Sequence, residues 1–556
     1  MSDTITIYCK NSNAYKDVPV GSSLLDIYTM VGAPLSHRPM NAKVNNKVEG
    51  LNYRCWQPKD IEFVAYTQSS GRRTYIRSLC HIFAKAVNDV LPDASLNLEH
   101  SISKGYYCVI HWGDKKIDAE TIDKLKKRMH EIIASDLPFR QKMVRTKDAV
   151  ALFRQRGMGD KAQLIESAGM PYTTYYELDG YADSFYGCQT PSTGYIHLFD
   201  LVPYFEGVLL RIPQQNNPTE LEPIVRQDKM FGVYRQHLDL QQMLGMNNVG
   251  DLNRVIAGGH ASEIIMVSEA MQEKQVAKIA EEIAERYRDG VRIVLISGPS
   301  SSGKTTFCKR LQVQLVTNLI HPVGLSLDDY FLDRDKTPRD ESGDYDYESL
   351  YALDLPYLNN DIKRLLAGEE IEVPTFNFET GTRIYKGKKL KMYENSVLVM
   401  EGIHALNPEL TAMIDDSRKF RVYVSVLTSI LLDNHNRIPT TDNRMLRRIV
   451  RDYRFRGCSA KDTIARWPSV RRGEDKWIFP YQENADAMFN SAMIYELAAL
   501  RKFAEPILAE VREDAEENAE AYRLLRFLRY FNHIHDADLP GSSLLREFLG
   551  GGIFHY

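Results

Sequence analysis

Residues 291–307 read VRIVLISGPSSSGKTTF: an apolar run, then a segment rich in glycine and serine that ends in a lysine–threonine pair. Within this stretch, residues 298–305 match the pattern G-x-x-x-x-G-K-[ST], whose glycines let the backbone wrap around phosphate oxygens. Backbone amides and the N-terminus of the following helix add partial positive charge. The stretch therefore predicts a phosphate-binding loop between a buried strand and a helix. A flexible linker between domains is the alternative, but a linker does not require the lysine–threonine pair.

The loop also assigns roles to single side chains. Lys304 brings a full positive charge close to the β and γ phosphates of a nucleotide, and the Thr305 hydroxyl is placed to contact Mg²⁺. ATP and Mg²⁺ are therefore the expected ligands. The residues predicted to bind the nucleotide are Gly298, Pro299, Ser300, Ser301, Ser302, Gly303, Lys304, Thr305 and Thr306.

The chain after this loop alternates apolar runs with helical segments. That alternation is typical of a parallel sheet covered by helices on both faces. We therefore expect a multidomain α/β protein with a P-loop domain over residues 291–500. Its predicted strands lie at 291–297, 323–327, 396–400 and 420–427.

Acidic residues follow two of these strands. Asp328 comes directly after strand 323–327, and Glu401 comes directly after strand 396–400. Because parallel strands end at the same edge of a sheet, both carboxylates are expected beside the phosphate-binding loop. One carboxylate can accept the proton of an attacking hydroxyl, and the other can hold Mg²⁺ directly or through water. The alternative is that both are ordinary acids of surface loops.

A basic helical segment, TTDNRMLRRIVRDYRFRG, occupies residues 440–457. Arg444, Arg448 and Arg451 share one helical face, and Arg456 lies just beyond them. A mobile lid that carries arginines can neutralise charge on a transferred phosphoryl group and exclude water. We expect this segment to act as such a lid. A solvated helix face or an RNA-contacting patch is the alternative.

The whole chain has 556 residues, with 70 basic and 74 acidic side chains and a net charge of −4. At about 100–200 residues per domain, several domains are expected. The near-neutral charge argues against a surface that is basic throughout, as broad nucleic-acid binding would require. The seven scattered cysteines, the lack of a signal peptide and the lack of a membrane-spanning apolar stretch favour a cytoplasmic protein without membrane contact.

The patterns outside residues 291–500 predict four further parts. Residues 1–66 alternate apolar and polar side chains around a short helix, which suits a β-grasp module. Residues 67–235 mix amphipathic helices with strands and suggest an α+β domain. A helical connector is predicted over 236–290, and a helical tail over 501–556.

Residues 291–500 resemble P-loop kinases of the uridine kinase and phosphoribulokinase family. The resemblance is carried by GPSSSGKT, LSLDDYF at 325–331, DYDYES at 344–349, VPTFNFETGTR at 373–383, VLVMEG at 397–402 and RRIVRD at 447–452.

The kinase resemblance implies roles for individual residues. Asp328 would be the base that accepts the proton of a nucleoside 5′-hydroxyl, and Glu401 would lie on the Mg²⁺ side together with Thr305. Uridine kinases place a Tyr and a His against the pyrimidine, where this chain has Phe376 and Gly381, so only ring stacking is retained. The implied catalytic residues are Lys304, Asp328, Arg448, Arg451 and Arg456, and the implied substrate-binding residues are Asp346, Phe376 and Arg383.

The N-terminal parts resemble regions of threonyl-tRNA synthetase. Residues 1–66 resemble its TGS domain. Residues 67–235 resemble its second additional domain, in the helix at 76–87 and in IDKLKKRMHEI at 122–132. In that synthetase this domain edits mischarged tRNA.

The editing motifs of that domain, H-x-x-x-H and C-x-G-P-H, are altered in this chain. Arg77 replaces the first His, and His81 remains alone on an apolar helix face, where a packed core histidine is expected. The later motif reads Phe185-Tyr186-Gly187-Cys188-Gln189. The resemblance therefore implies a degenerate editing-like domain that keeps the fold without the editing chemistry.

Two hypotheses on function follow from these patterns. The first is ATP-dependent, Mg²⁺-assisted phosphoryl transfer to a hydroxyl of a nucleoside or a related sugar-containing small molecule. The alternative is a regulatory protein that binds RNA or tRNA and is gated by nucleotide at the P-loop. The family resemblance is also compatible with a homo-oligomer.

Overall fold

The computed structural model describes residues 3–340, 343–377 and 380–555. Its first part is a mixed five-stranded sheet in the order β2-β1-β7-β4-β5, in which only β1 and β7 are parallel neighbours. Helix α1 packs beside this sheet in the predicted β-grasp arrangement. The elements are β1 Thr4–Cys9, β2 Ala14–Pro19, β3 Ser22–Ser23, α1 Leu24–Val31, β4 Pro39–Val44, β5 Lys47–Glu49, β6 Arg54–Cys55 and β7 Asp60–Ala65.

Local sequence explains where α1 begins and ends. Ser23 and Asp26 form a capping box at its first turn, which satisfies amides that would otherwise lack a partner. Gly32 ends the helix in the left-handed conformation, with φ of 61°, where a side chain is disfavoured. The helix is the short one that the sequence predicts within residues 1–66.

The second part contains two antiparallel sheets, β10-β11-β12 and β13-β14-β9-β8, packed with helices. Its long helix α2 begins close to the β-grasp sheet, and Gly71 permits this approach because it has no side chain. A Cβ atom at Gly71 would come within 2.0 Å of the Ala65 carbonyl oxygen. One hydrophobic core consequently extends through both parts. The elements are α2 Ser69–Val90, β8 Ser95–His100, β9 Tyr106–His111, α3 Ala119–Ala134, β10 Arg140–Arg145, α4 Thr146–Gln155, α5 Gly159–Ser167, β11 Tyr172–Leu178, β12 Tyr181–Asp183, β13 Asp200–Tyr204 and β14 Gly207–Arg211.

The predicted connector consists of helices that pack against the rest of the chain. They are α6 Asp228–Met243, α7 Val249–Ala257 and α8 Ala261–Arg288, so α6 begins before the predicted start at residue 236. Ile264, Val276 and Ile283 of α8 are buried in the same core as the P-loop strand. This region is therefore a structural part of the P-loop domain as well as a link to it.

The P-loop domain is built on a five-stranded, fully parallel sheet in the order β16-β19-β15-β20-β23. Strand β15, which leads into the loop, lies at its centre, and helices cover the sheet as the alternating pattern predicts. The strands are β15 Ile293–Ser297, β16 His321–Ser326, β17 Ile371–Asn377, β18 Thr382–Leu390, β19 Ser396–Glu401, β20 Lys419–Ser425, β21 Leu431–Asp433, β22 Asn436–Arg437 and β23 Ala487–Asn490. The helices are α9 Lys304–Thr317, α10 Leu355–Leu366, α11 Thr440–Phe455, α12 Ala460–Trp477, α13 Glu496–Ala509, α14 Asn518–Leu528 and α15 Arg546–Leu549.

The C-terminal segment folds back onto the rest of the molecule. Helix α13 runs across the predicted division at residue 500. In α14, Glu520 pairs with Arg73 of α2 at 2.8 Å, and Arg523 pairs with Asp442 of α11 at 2.6 Å. The predicted tail therefore joins the N-terminal half to the P-loop domain.

A buried cluster of charges also connects these halves. The ammonium group of Lys161, 1% exposed, lies 2.8 Å from the Asp183 carboxylate and 2.7 Å from the Asp433 carboxylate. His435 lies 2.7 Å from Asp183. Burial by itself would raise the pKa of the Asp183 carboxyl, but Lys161 and His435 hold that pKa below its usual range.

The sequence predicts no segment that spans a membrane. Throughout residues 3–340, 343–377 and 380–555, no helix combines the length and apolar composition needed to cross a bilayer.

Candidate active site

The phosphate-binding loop connects the end of β15 to the first residue of α9. Gly303 has a left-handed φ of 83°, and a Cβ atom at Gly298 would lie 2.1 Å from the Val424 carbonyl oxygen. Both positions therefore require glycine. The loop is largely enclosed, since Ser301, Ser302 and the side chain of Lys304 are buried.

Lys304 lies between the loop and the predicted carboxylates. Its ammonium donates a hydrogen bond to the Pro299 carbonyl at 3.1 Å. Burial lowers the pKa of this ammonium below its usual value, while the charges of Glu401 and Asp328 oppose that shift. The structure thus brings together Lys304, Asp328 and Glu401 from three separate stretches of the chain.

Strand register explains how the two acids meet. Ser326 of β16 pairs directly with Glu401 of β19, and its hydroxyl donates to the Glu401 carboxylate at 3.2 Å. Asp328 follows in a short 3₁₀ turn, two residues beyond Ser326. Burial, and then the nearby charge of Asp328, raise the pKa of Glu401 to about 7, with Lys304 opposing the shift.

The oxygen atoms of Thr305 and Glu401 suit a magnesium ion whose other ligands are phosphate oxygens and water. Among the described residues, no group of three or more His, Cys, Asp and Glu side chains could hold a metal by itself. Mg²⁺ commonly takes one or two carboxylates and completes its shell with water and substrate phosphates. The Glu401 carboxyl, at the end of the strand next to β15, fits that arrangement, because a cation there would relieve its repulsion with Asp328.

The arginines of α11 form a wall of the loop. Arg448 donates to the Ser300 hydroxyl at 3.0 Å, and it also pairs with Asp452 at 3.2 Å. Arg451 pairs with the same Asp452 at 2.7 Å, and Arg456 approaches that carboxylate at 3.7 Å. Arg448 therefore contacts the phosphate-binding loop directly through its side chain.

The prediction of a mobile lid is wrong for the inner face of α11. Arg444 is 1% exposed, forms a bidentate ion pair with Glu474 of α12, and donates to the Ser300 carbonyl oxygen at 3.0 Å. Arg447, which the sequence analysis did not single out, is equally buried and pairs with Glu496 at 2.7 Å. Helical spacing places arginines on one face, but it does not show that carboxylates from α12 and α13 enclose that face.

The residues predicted to bind the acceptor substrate contact other residues of the protein. Phe376 is 6% exposed, and its ring lies 5.6 Å from that of Phe331. Arg383 pairs with Asp354 at 3.1 Å and donates to the Phe331 carbonyl oxygen. Phe378 and Glu379 of the motif VPTFNFETGTR lie outside the described residues.

The space beside Gly381 is occupied by another side chain. A Cβ atom at Gly381 would lie 2.6 Å from the Nε atom of Arg334. Arg334 also donates its amide to the Gly381 carbonyl oxygen at 2.8 Å. A guanidinium therefore lies where the kinase resemblance would place an imidazole.

Sequence reasoning missed a buried acid near the loop. Asp346 accepts the amide of Glu348 at 3.2 Å, so the DYDYES turn directs Glu348 inward. Glu348 is close enough to Arg448 and Lys304 that both oppose the rise in its pKa caused by burial. Its Oε2 atom is buried and has no hydrogen-bond partner among the described residues. The only signal in the sequence was its place two residues after Asp346.

The C-terminal segment contributes a second unforeseen acid. The amide and the hydroxyl of Thr306 both donate to the Glu547 carboxylate, at 3.1 and 2.7 Å. Leu544 packs over Gly303, where a Cβ atom would lie 2.5 Å from a leucine methyl. A carboxylate thus occupies the first turn of α9, where helix amides attract anions.

The editing-like domain retains a packed histidine. His81 is fully buried, its imidazole lies 3.0 Å from the Gln189 amide nitrogen, and burial lowers its pKa to about 4. Arg77 donates to the Cys188 carbonyl oxygen. The expectation that His81 is a core histidine is confirmed.

Comparison with known proteins finds two separate regions of similarity. Residues 293–497 match the sequence model of the phosphoribulokinase / uridine kinase family. A threonine–tRNA ligase of Syntrophotalea carbinolica is 27% identical over 177 residues, which are 32% of this chain and 28% of that protein. A threonine–tRNA ligase of a Geobacter species is 26% identical over 186 residues, 34% of this chain and 29% of that protein. This chain thus spans less than a third of the length of these curated relatives.

Solved structures show more distant similarity. A protein from Bacillus stearothermophilus described as a possible uridine kinase has 18% identity and a TM-score of 0.26, covering 38% of this chain and 98% of its own. The D-glycerate 3-kinase of Cryptococcus neoformans has 14% identity and a TM-score of 0.22, covering 50% of this chain and 87% of its own. Residues 293–497 thus match the sequence model of the phosphoribulokinase / uridine kinase family, and an N-terminal region is similar to part of threonine–tRNA ligases.

Proposed function

We propose that this protein is an ATP-dependent kinase that transfers a phosphoryl group to a hydroxyl of a nucleoside or a related sugar-containing small molecule. One observation carries the proposal: Glu401 at the end of β19 pairs with Ser326, two residues before Asp328, and with Ile296 of β15, the strand that leads into the phosphate-binding loop and Lys304. A loop that only binds nucleotide needs the lysine, but it does not need a carboxylate available to a second substrate.

The chemistry follows from the positions of these residues. Asp328 accepts the proton of the acceptor hydroxyl as that oxygen bonds to the γ-phosphorus. The bond from the γ-phosphorus to the bridging oxygen breaks, and ADP leaves. Lys304 and Arg448 stabilise the negative charge that develops on the phosphate oxygens. Enclosure of the loop strengthens these interactions because little water screens them.

Thr305 and Glu401 are the residues that would hold Mg²⁺ against the β and γ phosphates. When bound, the ion neutralises phosphate charge and orients the transferred group. Glu401 would then act as a carboxylate ligand, since a cation at that place lowers its pKa.

The acceptor is proposed from the DYDYES and VPTFNFETGTR segments. Asp346 is the candidate ligand for ribose hydroxyls, with Phe376 and Arg383 forming the inner wall of the site. Arg334 beside Gly381 differs from the imidazole that reads a pyrimidine in uridine kinases, so we propose an acceptor whose recognised group accepts hydrogen bonds from a guanidinium.

A panel of nucleosides and small sugar alcohols tests the proposal directly. Each acceptor is incubated with ATP and Mg²⁺, and ADP formation is measured for the wild type and for Lys304→Ala. At least one acceptor should give turnover that the variant lacks. If every acceptor gives the same rate with both proteins, the kinase function is rejected.

Glu547→Gln is expected to tighten ATP binding by about tenfold. A nucleotide phosphate that binds at Thr306 must displace a charge-assisted hydrogen bond, which contributes about 1.5–3 kcal/mol, and must approach a carboxylate of like charge. Titration of a fluorescent ATP analogue measures the change. Glu510→Gln is the matched control, because Glu510 is an exposed acid of the same segment and bonds to the Tyr453 hydroxyl. Equal affinities of wild type and Glu547→Gln would show that the carboxylate does not compete with phosphate.

The similarity to threonine–tRNA ligases supports a second candidate, RNA binding gated by nucleotide at the P-loop. Binding of tRNA to a basic surface would weaken steeply with salt, in proportion to the phosphates neutralised. Filter binding at two salt concentrations, with and without ATP, separates the candidates. Tight, salt-dependent binding that changes with ATP would favour this function, and no binding at low salt would reject it.

A further inference from the structure

A cavity of about 200 Å³ lies where three parts of the chain meet. Its walls come from the β-grasp sheet at Glu49, from α2 at Arg77, from the segment 184–188, and from α14. A smaller cavity of about 100 Å³ adjoins it and shares Arg77 in its lining. Together they approach the lower end of the range of small-molecule sites, roughly 300–1,000 Å³. This junction cavity is separate from the phosphate-binding loop.

Arg77 contributes a positive charge to the wall of the junction cavity. Its guanidinium lies against the backbone of Gly187, where a Cβ atom would come within 2.5 Å of its Cζ atom, and it donates to the Cys188 carbonyl oxygen. Within the described part of the chain it forms no ion pair. A guanidinium has five N–H donors, so most of those on Arg77 remain available to a ligand. Burying such a cation without an anionic partner is costly.

The two aspartates in the wall are balanced by basic neighbours. Asp433 is held by Lys161 at 2.7 Å, and Asp442 by Arg523 at 2.6 Å. Burial raises the pKa of the Glu49 carboxyl, and the nearby charges of Arg526 and Lys47 oppose that shift. Arg526 of α14 lines the cavity and, like Arg77, has no ion pair among the described residues. The excess charge that faces the cavity is therefore positive.

Aromatic rings also line the cavity. They come from β11, from the segment 184–188, from α14 and from the residues just after α14. Flat rings stack on planar ligands, and arginine both stacks and binds phosphate or carboxylate through two parallel hydrogen bonds. The lining rings are Tyr172, Tyr176, Phe185, Tyr186, Tyr522 and Tyr530.

We propose that the junction cavity binds a small anion, a planar ring that carries a phosphate or carboxylate group, with the anionic group on Arg77. Mononucleotides and aromatic carboxylates share this chemistry. The ring lies among the tyrosines, and Arg526 closes the site from α14. The replacement of a histidine by Arg77 changes a position associated with editing into one that holds an anion.

The test uses the full chain with Lys304→Ala, so that binding at the phosphate loop does not obscure the result. Calorimetry measures binding of AMP, UMP, phenyl phosphate and benzoate, with adenosine as the uncharged probe. At least one anionic probe should bind, and Arg77→Met should weaken that binding by about tenfold or more. Phosphate probes and benzoate identify which anionic group is preferred.

Arg72→Met is the matched control, because Arg72 lies on the same helix but pairs with Glu222 at 3.2 Å. Circular dichroism checks that each variant folds. If Arg77→Met does not fold, Arg526→Met gives the same test, since Arg526 is exposed at the rim and its loss should also weaken anion binding. The proposal is overturned if no anionic probe binds, if adenosine binds as tightly as AMP, or if the folded variants bind with unchanged affinity.

Discussion

Asp328→Asn is expected to lower kcat with the best acceptor by about 10²–10⁴-fold while leaving the KM for ATP nearly unchanged. The amide keeps the size and much of the hydrogen bonding of the carboxylate, but it cannot accept the hydroxyl proton. The nucleotide contacts from the phosphate-binding loop do not involve this side chain, so ATP affinity should persist. Steady-state kinetics with each substrate varied in turn measure both effects.

Asp329→Asn is the matched control for this result. Asp329 is the next residue in the same turn, yet its carboxylate faces the β17 strand and accepts the Phe376 amide at 3.4 Å. We expect a much smaller change in kcat for this variant. Similar losses in the two variants would indicate a general disturbance of the turn and would contradict the assignment of Asp328 as the base.

Lys161→Met is expected to produce the largest loss of stability. The substitution leaves Asp183 and Asp433 buried together without the cation between them, and breaking a buried pair in this way costs about 3–5 kcal/mol. The folded state should respond by taking up a proton at one carboxyl, so stability should fall further as pH rises. Denaturant unfolding followed by circular dichroism at two pH values measures both effects.

Lys124→Met is the comparison variant. Lys124 pairs with Glu120 at 2.7 Å on the exposed face of α3, where solvent screens the interaction. Its unfolding midpoint should match that of the wild type. If Lys161→Met unfolds at the same denaturant concentration as the wild type, the buried cluster does not stabilise the junction between the halves.

Much of the P-loop domain could be predicted because its signals are local. Strand-length apolar runs before the loop, before Asp328 and before Glu401 predicted parallel strands, and the sheet has them as neighbours. A strand that is buried on both faces must be apolar along its length, so the pattern survives in the sequence. The glycines at 298 and 303 are likewise required by backbone geometry at those positions.

The sequence did not show which faces of the helices are covered by other elements. The arginine face of α11 was expected to form a lid, yet Arg444 pairs with Glu474 in the interior. The predicted connector and tail are helical, and α8 and α14 contribute to the same hydrophobic core as the P-loop strand. Helical periodicity shows which residues share a face, and it does not show what covers that face.

The sequence by itself determined the phosphate-binding loop, the parallel sheet around it and the acids at two strand ends, since spacing and periodicity act over a few residues. Only the tertiary structure decided that Glu547 accepts hydrogen bonds from Thr306, that one carboxylate oxygen of Glu348 is buried, and that Arg77 lines the junction cavity. Glu547 and Thr306 are 241 residues apart in the chain. Contacts over such distances depend on how whole elements pack, because many residue pairs could satisfy the same local pattern.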